Sequence, residues 1–123
     1  MDAKKLGVYG EKIAKDFLQK KGLEFVKQNF YARGGELDLI FKDRENDEYV
    51  FVEVKTRRNE KFGDAITSIT KSKLEKMCVA IDSFFDKEGF EFAPNFRIDA
   101  VILRVRDGKF FAEHIENIGF GDF

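Results

Sequence analysis

Within residues 7–21, Ile13, Ala14, Phe17 and Leu18 recur three and four positions apart among lysines and acids. That spacing predicts a helix with one apolar face, and Gly22 stands where it should stop. The period then changes. Residues 23–32, LEFVKQNFYA, read as a first strand, and Arg33, Gly34 and Gly35 as a loop. Two strand-forming runs follow, GELDLIF and YVFVEVKTR, joined by the charged tip KDRENDE. Helical spacing returns over about residues 68–87, where Ile69, Leu74, Met77, Cys78, Ile81, Phe84 and Phe85 share a side and Gly89 closes the helix. NFRIDAVILRV, residues 95–105, predicts a strong strand, and Asp107-Gly108 turns it into a returning strand over 109–118. The order is α-β-β-β-α-β-β without repeats or linkers. It predicts a single α/β domain over residues 1–123, a mixed sheet flanked by helices.

The central hairpin carries a puzzle. With Asp43 opposite Glu48, residues Leu37, Leu39 and Phe41 face Val54, Val52 and Val50, which gives one fully apolar face. The other face pairs Ile40 with Phe51, Asp38 with Glu53, and Glu36 with Lys55. Its apolar members near the tip predict a covering helix, so the carboxylates should be half-buried. Like charges opposed on a sheet cost about 0.2–1 kcal/mol, and burying ions adds several kcal/mol each. Two compensations fit: a divalent cation on the oxygen atoms, or an internal network pairing Glu36 with Lys55 and Asp38 with an arginine. The pattern alone leaves both open.

Composition narrows the classes. Hydrophobic residues make up 43% of the chain, 15 of them Phe, enough for a packed core. Lys and Arg total 22 against 23 Asp and Glu, so the net charge of −1 excludes nucleic-acid binding by bulk positive charge. Any such surface must be local, around Lys55, Arg57 and Arg58 or around Lys71, Lys73 and Lys76. One cysteine permits no internal disulfide, and no apolar run reaches the roughly 18 residues of a membrane span. A cytoplasmic, non-membrane protein is expected. His114 and Cys78 alone cannot build a His/Cys zinc site. His114 reads as a strand residue without a catalytic role, Arg97 and Asp99 as a salt bridge, and the aromatic residues mostly as core.

Asp38 followed, across the hairpin, by Glu53-x-Lys55 matches the D…(D/E)xK arrangement of restriction-endonuclease-like nucleases, with Leu37 where those proteins often carry Pro. In that chemistry two carboxylates hold Mg²⁺ or Mn²⁺ against a phosphate and a lysine assists the attacking water. The longer blocks GVYGEKIAKDFLQKKG, NFYARGGELDLI, VFVEVKTR, SITKSKLEKM and FRIDAV resemble, in order, those of the YraN-type family of uncharacterised bacterial proteins, from Gly7 to Asn117. The terminal NIGFGDF departs from that family and has no assigned role. The resemblance implies a restriction-endonuclease-like core related to archaeal Holliday-junction resolvases. It implies a DNA endonuclease acting on branched or damaged DNA, with a homodimer by analogy. Asp38 and Glu53, joined by Glu36 and Glu11, would bind the metal, and Lys55 would assist the water. Glu11 matches a helix glutamate that faces the metal site in the resolvase-like group. Its stripe, Gly7, Glu11, Ala14 and Leu18, agrees, because small Gly7 and Ala14 allow close approach to a sheet. Lys71 and Lys73 near the second helix start, with Arg57 and Arg58, are the expected phosphate contacts. Thr67 or Thr70 would cap that helix. Two other readings stand beside the enzyme: a non-catalytic nucleic-acid-binding module that keeps the nuclease fold, and a protein-interaction role with the polar cluster as a structural network.

Overall fold

A computed structural model of the protein describes residues 2–58 and 66–119. Helix α1, Ala3–Lys20, begins four residues before the apolar period does, because the Asp2 carboxylate accepts the Lys5 N–H at 2.8 Å and caps it. It ends as its sequence demands. Gly22 takes φ 101°, its N–H reaches the Gln19 carbonyl, and the Leu23 N–H reaches Leu18. The strands are β1 (Glu24–Ala32), β2 (Gly35–Asp43), β3 (Glu48–Arg58), β4 (Phe96–Arg106) and β5 (Lys109–Ile115), with helix α2 (Lys71–Lys87) between β3 and β4. They form one sheet in the order β1-β2-β3-β4-β5. Every neighbouring pair is antiparallel except β3 and β4, whose parallel pairing requires the long crossover that α2 occupies. The expected α/β order and mixed sheet are therefore observed.

The two helices cover opposite faces of the sheet. On one face Leu74, Met77, Ile81, Phe84 and Phe85 of α2 pack on Phe30, Ile40, Phe51 and Ile98. On the other, Ala14 and Leu18 of α1 pack on Leu39, Phe41, Val50, Val52, Val101 and Leu103. Burial on both sides explains the nearly continuous apolar runs of β3 and β4. No helix among the described residues is long and apolar enough to cross a membrane.

The hairpin register is the expected one from Asp43↔Glu48 to Leu39↔Val52, and there the β2–β3 ladder stops. Leu37 is a correction. It was expected beside Leu39 and Phe41, yet it packs in the α2-side cluster with Phe30 and Ile40. Alternation in β2 therefore breaks between Leu37 and Leu39. Gly7 is a second correction, since a Cβ added there would meet nothing within 4 Å. The close approach belongs to Gly10, where a Cβ would fall 2.1 Å from Thr56 Oγ1 on β3. Gly35 plays the same part for α2, its absent Cβ lying 2.1 Å from the Lys76 carbonyl oxygen. These two contacts set how closely α1 and α2 approach the ends of β3 and β2.

Candidate functional site

Asp38 sits where β2 parts from β3. One of its carboxylate oxygens accepts the Val54 N–H at 2.9 Å, serving a backbone donor beyond the end of the strand ladder. The neighbouring residue, Glu53, is only 4% exposed. Its two oxygens lie 3.7 Å from different ammonium groups, Oε1 from Lys55 Nζ and Oε2 from Lys73 Nζ. At that separation the charges attract without a hydrogen bond. Glu53 Oε2 is fully buried and has no hydrogen-bond partner. Such an atom forfeits its hydration with no direct replacement.

Electrostatics follows from this crowding. Burial, reinforced by the Asp38 charge, pushes the Glu53 carboxyl up to about 7 despite the lysines beside it. Burial likewise raises Asp38 above the ordinary aspartate range, against the pull of the Val54 N–H and of Lys73. Glu11 on α1 is also pushed up to about 7, by burial first and then by Asp38 and Glu36. Glu11 follows Gly10, the point where α1 comes closest to β3, and the charges of Asp38 and Glu36 reach it there.

The other expected residues divide. Glu36 is exposed and lies opposite Tyr31 of β1 in the ladder, while the Lys55 ammonium reaches Glu53, so the anticipated Glu36–Lys55 pairing is replaced. Lys73 was expected to reach outward to phosphate; it points to Glu53 instead. Thr70 is the N-cap of α2, its hydroxyl accepting the Lys73 N–H at 3.1 Å, which fixes the helix start beside the carboxylates. Lys71 is the exposed first residue of α2. Arg57 and Arg58 close β3, and Arg57 Nη1 donates to the Thr56 carbonyl at 3.0 Å.

A second polar group, at the far end of α1, was only partly foreseen. The Arg97–Asp99 pair is present at 3.1 Å, but Arg97 also donates to Asp43 and Glu48 at 2.8 and 2.7 Å. Buried His114 joins it, with Nε2 2.7 Å from Asp99 and Nδ1 2.7 Å from the Lys21 ammonium. An ammonium only donates, so Nδ1 accepts and Nε2–H faces the carboxylate. Asp99, His114 and Glu116 bring one ligand atom each to within 4.8 Å of one another, a grouping that could hold a metal ion. Among the described residues this is the trio so assembled. Yet Asp99 already accepts from Arg97, His114 and the Asn117 N–H, and a guanidinium lies where a cation would approach. Its chemistry is that of a satisfied ion-pair network. The spacing of Arg97 and Asp99 on β4 signalled part of it. His114 could be added only once β5 was placed against β4, at Val101↔His114.

Comparison with known sequences adds kinship. The family described as "Uncharacterised protein family UPF0102" matches residues 10–103. A UPF0102 protein of Syntrophomonas wolfei is 39% identical over 114 residues, covering 93% of this chain and 96% of its own. Another, from Dichelobacter nodosus, is 37% identical over 120 residues, 98% of this chain and 93% of its own. A third, from Beutenbergia cavernae, is 38% identical over 115 residues, 93% and 95%.

Proposed function

The chain belongs to the uncharacterised UPF0102 family, a kinship that assigns no activity, and from the geometry of its site we propose that it is a divalent-metal-dependent nuclease hydrolysing phosphodiester bonds in DNA. The observation that carries this reading is the buried Oε2 of Glu53, which has no hydrogen-bond partner and feels the charge of Asp38. Oxygen donors alone suit a hard cation, Mg²⁺ or Mn²⁺. Asp38 and Glu53 would hold it, with Glu36 and Glu11 on the open side. When bound, the ion supplies Lewis acidity and a water acidified for attack on phosphorus.

The chain's own groups do the rest. The Asp38–Val54 bond anchors one carboxylate to the backbone, so it needs little reorganisation on binding. Lys55, on one side of Glu53, would donate to the charge that grows on the phosphate oxygens. Lys73, on the other side, opposes the charge of the carboxylates before substrate arrives. The N-terminal turn of α2, with Lys71, and the end of β3, with Arg57 and Arg58, offer positive charge for flanking phosphates. Sequence independence is expected, because contacts of this kind carry no base information.

The rival favoured by a specific observation is a structural network, because Lys55 and Lys73 bracket Glu53 equally. Incubation of single-stranded, branched and duplex DNA with the protein and Mn²⁺ separates the two. Cleavage that is lost in Glu53→Gln and reduced at least about 100-fold in Lys55→Ala supports the enzyme. Absence of cleavage on all three substrates, with the variants matching wild type, supports the network.

A further inference from the structure

Between α1 and the edge strand β1 runs a groove of about 500 Å³, lined by Val8, Glu11, Lys12, Lys15 and Asp16 of α1 and by Gln28, Asn29 and Tyr31 of β1. Tyr31 is an exception among the mostly core aromatic residues, being 66% exposed. The cause lies two residues earlier. Asn29 has φ 52°, in the left-handed region that asparagine tolerates better than most residues. In a regular strand Gln28 and Tyr31, three apart, would point to opposite faces. The left-handed residue breaks the alternation, so Phe30 turns inward onto Phe84 of α2 while Gln28 and Tyr31 both line the groove. An aromatic ring held in solvent beside a groove is a surface that a planar ligand can stack on.

The groove's position points to the ligand. Tyr31 is the ladder partner of Glu36, and Glu11, in the groove wall, feels the charges of Asp38 and Glu36. Tyr31 thus stands across the ladder from Glu36, which is two residues from Asp38 on β2. We infer that the groove holds one unpaired nucleotide of single-stranded DNA, its base stacked on Tyr31 and its phosphate beside Lys12, with the strand continuing across the Asp38–Glu53 site. The Lys15 ammonium is held over the Phe25 ring at 3.8 Å, forming a wall more than a phosphate contact. Gln28 and Asn29 carry the amide donors and acceptors that suit a base edge. A duplex cannot present a base face to Tyr31, because each base is already stacked on both sides. The groove's volume fits a small ligand and not a double helix. This deepens the nuclease reading, on which it rests for where the strand leads; occupancy of the groove requires no chemistry.

Fluorescence anisotropy tests it, using a labelled short oligothymidylate and a mixed-sequence duplex of equal length, in EDTA so that nothing is cut. The expected result is tighter binding of the single strand, about tenfold weaker in Tyr31→Ala and retained in Tyr31→Phe. Equal or tighter binding of the duplex, no binding of either, or a single-strand affinity unchanged in Tyr31→Ala would overturn the inference. Tyr31 is exposed, so both variants should fold, which circular dichroism checks. The two readings fail separately. Glu53→Gln should abolish Mn²⁺-dependent cleavage while the preference for the single strand and its dependence on Tyr31 persist. Tyr31-dependent binding without any cleavage removes the nuclease and leaves the groove. Cleavage that ignores Tyr31, with no single-strand preference, does the reverse.

Discussion

Replacing Glu53 by glutamine removes one charge and almost no volume, and the structure fixes the sign of the outcome. Glu53 is pushed from an ordinary 4.5 up to about 7, so the folded protein binds more protons than the unfolded chain between those values. Its stabilising contribution is complete below about pH 4.5 and is lost as the pH rises through about 7. Full ionisation of the folded carboxyl corresponds to on the order of 3 kcal/mol. Glutamine also takes a partner from Lys55 and Lys73, but both ammonium groups keep some contact with water and lose little. In EDTA at pH 8, Glu53→Gln should therefore be more stable than wild type by about 1–3 kcal/mol, and at pH 5 nearly equal to it. Urea unfolding at both pH values, with unchanged m, measures this. A variant less stable than wild type by the same amount at both would refute the reasoning. It would mean that the two lysine contacts hold the fold and that no frustrated charge is stored in the site.

Four further outcomes follow from particular contacts. Gly10→Ala should destabilise by about 1–3 kcal/mol, because its Cβ collides with Thr56, whereas Gly7→Ala should be neutral or stabilising by up to about 1 kcal/mol; thermal melts compare them. Asp38→Ala should cost about 1–3 kcal/mol by orphaning the Val54 N–H, while Asp38→Asn, which can still accept that bond, should fold like wild type; both should lose metal binding by calorimetry. Arg97→Met should cost about 3–5 kcal/mol in chemical denaturation, since Asp43, Glu48 and Asp99 lose their common cation. Mn²⁺ affinity should rise between pH 6 and 8, because an ion must displace the protons that Glu11 and Glu53 retain to about pH 7; a flat profile would contradict this.

Much of this architecture is legible in the chain because burial imposes period. The hairpin register follows from Leu39, Phe41, Val50 and Val52 alone, since a one-residue slip would expose all four. Asp38, Glu53 and Lys55 are conspicuous because carboxylates in a covered sheet are costly. What the sequence hides is any departure from period. Leu37 changes face because the β2–β3 ladder ends at Leu39, and no residue type announces that. Asn29 hides its left-handed backbone in the same way, and with it the exposure of Tyr31. Lys73 and His114 act across distances set by packing: one reaches Glu53 from the crossover helix, the other reaches Asp99 from a neighbouring strand. Their partners became visible only when the elements were assembled.

The central claim is that the hairpin carboxylates, and not the trio at the other end of α1, form a divalent-cation site. Calorimetric titration of Mn²⁺ into wild type, Glu53→Gln and His114→Ala, each with and without oligothymidylate, addresses it most directly. One site is expected in the wild type, abolished by Glu53→Gln and preserved in His114→Ala. Binding that survives Glu53→Gln but disappears in His114→Ala would place the ion at Asp99, His114 and Glu116 and contradict it, as would no binding to any of the three proteins.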